Sequence, residues 1–81
     1  MITVDVVIPV TGKTYDFSLD ENALVETITE EIVELIVQKE GYTYPETTEF
    51  FLLSEKSRAA LNIRHSLKEN GIDTGERLLL V

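Results

Sequence analysis

The spacing of the apolar residues changes once along this chain, just after Leu19, and that change constrains the fold more than any other feature. Before it, apolar residues recur at every second position in two runs: Ile2, Val4, Val6 and Ile8, then Tyr15, Phe17 and Leu19. Such alternation is typical of strands with one buried face. The turn signal Thr11-Gly12-Lys13 separates the two runs, so a β-hairpin is predicted, with Pro9 and Val10 fitting either the strand or the turn.

Beyond Leu19 the apolar residues recur at the spacing of a helix. A helix is predicted over about residues 23–40, with Asp20 or Asn22 as its N-cap and Gly41 at the left-handed position that ends it. Six residues form one stripe that is expected to face the core: Leu24, Val25, Ile28, Ile32, Leu35 and Ile36. Val33 and Val37 fall outside this stripe, on an edge that the helix shares with glutamates.

The second half of the chain has shorter apolar runs. Residues 41–48 have loop chemistry, because Pro45 disfavours both a helix and a central strand. The elements predicted after this loop are a strand at 49–54, a turn at 56–58, a short strand at 59–63, a helical or 3₁₀ turn at 66–70 and a closing strand at 77–81. Gly71 lies between Leu67 and Ile72 in a tight turn, where it accepts a positive φ.

The order of these elements predicts an α+β fold with a ββαββ mixed sheet packed on one long helix. The closing strand is expected to pair in parallel with the first strand, because this places the long apolar strand at the centre of the sheet. This arrangement is the β-grasp, or ubiquitin-like, fold. At 81 residues, the chain is expected to be a single ubiquitin-like domain, residues 1–81.

Charge and composition exclude several classes of partner. Seven basic and fifteen acidic residues give a net charge of −8, and an acidic field disfavours binding to nucleic acid and to anionic lipid. Cysteine is absent, so neither a disulfide nor a thiolate metal site is available. No apolar run approaches the roughly 18 to 20 residues that cross a bilayer, so no membrane insertion is predicted and a cytoplasmic location is expected.

Catalytic, cofactor and metal sites are not predicted. His65 is the single histidine, and a lone histidine with few nearby carboxylates is a poor metal site, so a surface or packing role is favoured. Ser57 and Ser66 lack a base with an orienting partner, which argues against a nucleophile. The chain is therefore expected not to be an enzyme and to need no cofactor.

Several short segments are similar to known β-grasp sequences. Those that resemble ubiquitin at corresponding places are Thr11-Gly12-Lys13-Thr14, Lys39-Glu40-Gly41, and Leu67 with Ile72, Leu78 and Leu80. A longer pattern resembles the end of the YukD-like family, small ubiquitin-fold proteins encoded with type VII secretion systems of Gram-positive bacteria: Leu67-x-x-Asn70-Gly71-Ile72-x-x-Gly75-x-x-Leu78-x-Leu80. The resemblance covers the whole chain as an architecture, whereas this pattern covers residues 66–81.

The resemblance implies an accessory or assembly component of the secretion machine that acts by protein contact. It also implies no covalent conjugation, because ubiquitin and the sulfur carriers need a free diglycine end, whereas the run Leu78-Leu79-Leu80-Val81 is predicted to lie in the sheet. Two alternatives stay open. One is a β-grasp interaction module unrelated to secretion, and the other is a carrier that lacks its diglycine tail.

Three surface features are candidates for binding a protein. Phe50 and Phe51 are adjacent in a predicted strand, so only one of them can face the helix, and the other is expected on the open sheet face with Leu79 or Val81. Val33 and Val37 either pack against neighbours of the helix or lie at a partner surface. Four basic residues have two interpretations: Lys56, Arg58, Arg64 and Lys68. Either they form a docking patch for the acidic helix of another copy in a weak homo-oligomer, or they are simply solvated.

Overall fold

A computed structural model describes residues 1–41, 44–45 and 47–81. Its elements, in chain order, are β1 (Ile2–Ile8), β2 (Lys13–Leu19), α1 (Val25–Glu40), β3 (Leu52–Ser54) and β4 (Arg77–Leu80). The four strands form one mixed sheet in the order β2-β1-β4-β3, in which β1 and β4 are parallel and the other two pairs are antiparallel. The predicted α+β, β-grasp architecture is therefore confirmed.

The turn of the β1–β2 hairpin follows Ile8. Backbone pairing runs from Ile2 opposite Leu19 to Ile8 opposite Lys13, so Pro9 and Val10 belong to the turn. The N–H groups of Thr11 and Gly12 donate to the carbonyl oxygen of Ile8, at 3.1 and 2.8 Å. The predicted loop at 41–48 falls partly outside the described residues, at 42, 43 and 46.

One face of the sheet packs against α1 and forms the core. Alternate residues of the strands and one stripe of the helix are buried there, as the two spacings predict. The buried apolar residues are Val4, Val6, Ile8, Phe17, Leu19, Val25, Ile28, Ile32, Ile36, Leu52, Leu61, Leu67, Ile72, Leu78 and Leu80. None of the helices in the described part of the chain has the length and apolarity that crossing a membrane requires.

The predicted N-cap of the helix is wrong. The helix begins at Val25, and no side chain caps it. Instead, the N–H groups of Val25 and Glu26 donate to the carbonyl oxygens of His65 and Ile63, at 2.9 and 3.1 Å. Backbone from a distant loop thus satisfies donors that a side chain would otherwise cap. The predicted end is confirmed, because Gly41 is left-handed with φ of 75°.

Two members of the predicted core stripe lie outside the core. Leu24 and Leu35 are each 42% exposed, whereas Thr29 is buried and its hydroxyl donates to the carbonyl of Val25 at 2.8 Å. The buried face is therefore rotated away from Leu35 and toward Val33, which packs partly against the core. The spacing of apolar residues therefore predicts how wide the buried stripe of the helix is, but not which residue lies at its centre.

The predicted strand at 59–63 is absent, although Leu61 is buried as expected. Ala60 makes one isolated bridge with Leu53, and the Leu61 N–H donates to the Leu52 carbonyl at 2.9 Å. After that the chain leaves the sheet, because the N–H of Asn62 donates to the side-chain oxygen of Asn70 at 2.9 Å. A side chain therefore takes the place of the next strand partner.

A single turn follows at residues 66–70, as predicted. Ser66 and Glu69 bond reciprocally across it: the Ser66 N–H donates to Glu69 Oε1 at 2.9 Å, and the Glu69 N–H donates to Ser66 Oγ at 3.0 Å. This pairing has the pattern of a capping box. Gly71 ends the turn in the left-handed region, with φ of 77°.

Candidate functional site

A groove lies between α1 and the segment that leads into β3. It has a volume of about 690 Å³. Its described lining, which we call the helix groove, comprises Glu26, Thr29, Glu30, Val33, Glu34, Val37, Tyr44, Pro45, Thr48, Glu49, Phe50, Phe51 and Ile63. One wall is thus the outer flank of the helix, and the other comes from Tyr44, Pro45, residues 48–51 and Ile63.

The helix groove combines an apolar floor with acidic walls. Val33 and Val37 are half-buried, and Phe50 packs against the core while its ring meets the Tyr44 ring edge-on at 4.8 Å. Ile63 stays 43% exposed. Four carboxylates line the groove, and its described lining holds no lysine or arginine: Glu26, Glu30, Glu34 and Glu49. The groove therefore suits an apolar ligand that carries positive charge.

A second apolar surface lies on the sheet face opposite α1, and we call it the sheet patch: Val7, Phe51, Leu53, Leu79 and Val81. Leu79 pairs with Val7 on one side and with Leu53 on the other, so these three side chains form a row across the sheet. Phe51 and Val81 exchange two backbone hydrogen bonds, at 2.8 and 3.0 Å, and are 46% and 49% exposed. The patch thus lies on the side where side chains alternate away from the core.

The structure divides the six predicted binding residues between these two surfaces. Phe50, Val33 and Val37 belong to the helix groove, whereas Leu79 and Val81 belong to the sheet patch. Phe51 contributes to both, because it lines the groove and also pairs with Val81. Of the two phenylalanines, Phe50 is the one that packs against the core.

Several residues of these surfaces are not among the six predicted ones, including Val7, Leu53 and Ile63. Ile63 falls in the predicted strand at 59–63, whereas its place in the groove follows from the hydrogen bond between its carbonyl and the helix N-terminus. Leu53 lies two residues after Phe51 in the predicted strand at 49–54, and this spacing is a usable signal because it places the two side chains on one face.

The remaining candidates belong to neither surface, although Arg58 adjoins the sheet patch. His65 and Ser57 are exposed, and Ser66 is buried in the capping box. The four bases of the predicted docking patch are all exposed, and Arg58 lines a shallow hollow with Leu53, Glu55 and Leu79. Within the described residues, no group of three or more histidine, cysteine or acidic side chains could hold a metal ion.

The chain has the fold of several solved ubiquitin-like domains. The ubiquitin-like domain of EccD5 from Mycobacterium xenopi is 17% identical with a TM-score of 0.79, covering 99% of this chain and 91% of that one. The ubiquitin-like domain of the Mycobacterium tuberculosis type VII secretion system protein EccD1 is 21% identical with a TM-score of 0.71, covering 100% and 99%. At these identities the likeness establishes the fold.

A third solved structure matches over a small part of its own length. A chain of the MycP5-free ESX-5 inner membrane complex is 24% identical with a TM-score of 0.78, and the match covers 99% of this chain but 20% of that one. This chain therefore spans one fifth of that relative. No curated protein sequence matches the chain significantly.

The sequence profile of one family matches nearly the entire chain. This family is described as the WXG100 protein secretion system (Wss), protein YukD, and the match covers residues 1–80. It confirms the resemblance that rested on the pattern from Leu67 to Leu80. The chain therefore belongs to the YukD family of the WXG100 protein secretion system and has the ubiquitin-like fold.

Proposed function

We propose that this chain is a non-conjugating, ubiquitin-like accessory protein of a bacterial type VII secretion system. In this proposal its 81 residues act as one domain, in the cytoplasm, by contact with another protein of the machine and without catalysing a reaction. The observation that carries the proposal is the family match over residues 1–80. The fold shared with the ubiquitin-like domains of EccD1 and EccD5 supports it.

The sheet patch is the surface proposed for this contact. Phe51 and Val81 leave about half of their apolar side chains in water, and they continue the row formed by Val7, Leu79 and Leu53. Contiguous exposed apolar surface is typical of protein interaction sites, and a large aromatic side chain is the kind of anchor that dominates their energetics. Phe51 is expected to be that anchor.

Export of WXG100 proteins tests the proposal in a host that carries this gene and a WXG100 secretion system. Deleting the gene should reduce export, and the intact chain should restore it. The double variant Phe51→Ser with Leu79→Ser should fold but fail to restore export, because losing this apolar anchor should weaken partner binding by at least about 1 to 2 kcal/mol.

The matched control is the double variant Val10→Ser with Leu35→Ser. It also replaces two exposed apolar residues, which are 93% and 42% exposed and lie outside both surfaces. It should restore export like the intact chain. Unchanged export after gene deletion would refute the secretion role, whereas full rescue by a folded Phe51→Ser, Leu79→Ser variant would refute the sheet patch alone.

A further inference from the structure

The helix groove is a second surface, whose chemistry differs from that of the sheet patch. We propose that it binds a cationic amphipathic helix of a partner protein. The inference goes beyond the accessory role, since it concerns a surface that shares only Phe51 with the sheet patch and can be tested with a peptide in the absence of any secretion component.

The charges of the groove select a basic ligand. Glu26, Glu30 and Glu34 follow one another at intervals of four residues, so they form a ridge along one wall with a spacing of about 6 Å. Glu49 adds a carboxylate from the segment before β3. Because no described residue of the lining is a lysine or an arginine, a ligand with cations at matching intervals meets complementary charge along the groove.

The floor between these carboxylates selects an apolar face. Val33, Val37 and Phe50 are half-buried, and Ile63 and Pro45 are exposed at the sides. The floor and the acidic ridge both follow α1 from Glu26 to Val37, a distance of about 16 Å at 1.5 Å per residue. A ligand helix of about three turns would cover this length with apolar residues at positions i, i+3, i+4 and i+7.

The backbone around the groove favours a helix over an added strand. A strand would need unpaired N–H and C=O groups at the adjoining sheet edge. The outer edge of β3 already bonds to the following loop: the Ser54 N–H donates to the Ala59 carbonyl at 3.0 Å, and the Leu61 N–H donates to the Leu52 carbonyl at 2.9 Å. A helix satisfies its own backbone groups and needs only side-chain contacts.

Net charge disfavours a second copy of this chain as the occupant. Each copy carries −8, so bringing two copies together opposes like charges over most of their surfaces. Of the seven basic residues, Lys13 is already paired with Glu40 at 2.6 Å, and Lys39 lies over the Tyr15 ring at 5.5 Å. A separate basic helix meets the acidic groove without this overall repulsion.

The test uses a labelled 18-residue peptide that places leucines on one helical face and lysines at four-residue intervals beside it. The intact chain should bind this peptide, and affinity should fall as salt is raised. A peptide with glutamate in place of lysine should not bind, nor should a scrambled peptide of the same composition. Equal binding of either control peptide, or no binding of the lysine peptide at low salt, would overturn the proposal.

Two charge-neutralising variants of the chain distinguish binding in the groove from attraction by the overall negative charge of the protein. The double variant Glu30→Gln with Glu34→Gln should weaken peptide binding by about fivefold or more, because it removes two adjacent pairing partners. Glu31→Gln with Asp16→Asn removes the same charge from residues outside the groove lining and should change affinity by less than about twofold. Equal losses in the two folded variants would show unspecific attraction and refute the proposal.

Amide and methyl NMR shifts locate the bound peptide independently of affinity. The largest changes should fall on Val33, Val37 and Ile63, with small changes at Leu53 and Leu79 of the sheet patch. The reverse distribution would overturn the groove assignment. Concentration-dependent sedimentation of the chain alone, abolished by Glu30→Gln with Glu34→Gln, would identify a second copy as the occupant and would also overturn it.

Discussion

The two halves of the molecule satisfy their backbone groups by different means. Residues 1–41 contain two seven-residue strands and a 16-residue helix, so most of their hydrogen bonds lie within regular elements. The described residues from 44 onward contain strands of three and four residues. Here side chains bond to the backbone: Asn70 takes the place of a strand partner for Asn62, and Ser66 and Glu69 form the capping box of a turn.

The two halves contribute unequally to the candidate binding surfaces. The less regular second half supplies Phe50, Phe51 and Ile63 to the groove, and Leu53, Leu79 and Val81 to the sheet patch. The groove lies where this half meets α1 of the first half. The second half therefore supplies most of the apolar residues of both surfaces, whereas α1 supplies Val33 and Val37 to the groove and β1 supplies Val7 to the sheet patch.

The largest predicted effect tests the regular half. Ile32 is fully buried at the centre of the helical stripe, in the same core cluster as Val4, Phe17 and Leu80. Ile32→Ala should lower the free energy of unfolding by about 2 to 5 kcal/mol, through lost burial and a residual cavity. Denaturant unfolding followed by circular dichroism measures this change.

Leu35→Ala is the matched control in the same helix. Leu35 is 42% exposed, so its truncation should cost about 1 kcal/mol or less. If the Ile32→Ala variant melts within a degree or two of the parent chain, or if Leu35→Ala is the more damaging change, the helix orientation described here is wrong.

A smaller effect tests the irregular half. The Asn70 side chain accepts from the Asn62 N–H at 2.9 Å and donates to the carbonyls of Asn62 and Ser66, at 3.1 and 2.8 Å. Asn70→Ala removes these three bonds and should cost about 1 to 3 kcal/mol, since each is worth about 0.5 to 1.5 kcal/mol and solvent replaces part of the loss. Urea unfolding measures the change.

Asn22→Ala provides the comparison in the regular half. Asn22 is exposed, and its side chain makes no hydrogen bond with the described residues. The substitution should change stability by less than about 0.5 kcal/mol. Equal effects of the two substitutions would show that side-chain bonding does not hold residues 62–70 together, which would remove the contrast between the halves.

The same contrast accounts for how far the fold was predictable from the sequence. In β1, β2 and α1, the spacing of apolar residues predicted the elements and their buried faces. The exceptions are Leu24 and Leu35, which lie outside the buried stripe of the helix. It failed at residues 59–63, because a hydrogen bond from Asn62 to the Asn70 side chain is invisible to periodicity. It also failed at the helix N-terminus, where carbonyls of Ile63 and His65 replace a side-chain cap.

Some residues of the candidate surfaces were predictable from the sequence, but their grouping into two surfaces was not. Adjacent phenylalanines and off-stripe valines indicated exposed apolar side chains, because strand and helix geometry fixes which positions face outward. That Val33 and Phe50 share one groove depends on the path of residues 47–51 beside the helix. No local pattern encodes that path, since it is set by contacts between elements far apart in sequence.

The smallest predicted effects concern pH, and each half supplies one carboxyl group whose pKa is shifted in the opposite direction. In the second half, the Ser66 N–H and hydroxyl hold the pKa of Glu69 below its ordinary value. In the first half, a hydrogen bond with Asp5 and the negative charge of Asp5 raise the pKa of Asp16. Both groups are exposed, so both effects should be small.

The signs follow from proton binding in the two states. The Glu69 carboxylate stabilises the fold at neutral pH, and this contribution is lost as the pH falls below about 4.3 and through the lowered pKa. Asp16 behaves oppositely, because its protonated form is favoured in the folded state and the repulsion from Asp5 grows as the pH rises.

Melting temperatures between pH 3 and 7 should therefore show Glu69→Ala less stable than the parent at pH 7, with the difference shrinking in acid. Asp16→Asn should be more stable than the parent at pH 7, and its advantage should also shrink in acid. Parallel pH profiles for the parent and both variants would show that neither carboxyl group is coupled to folding.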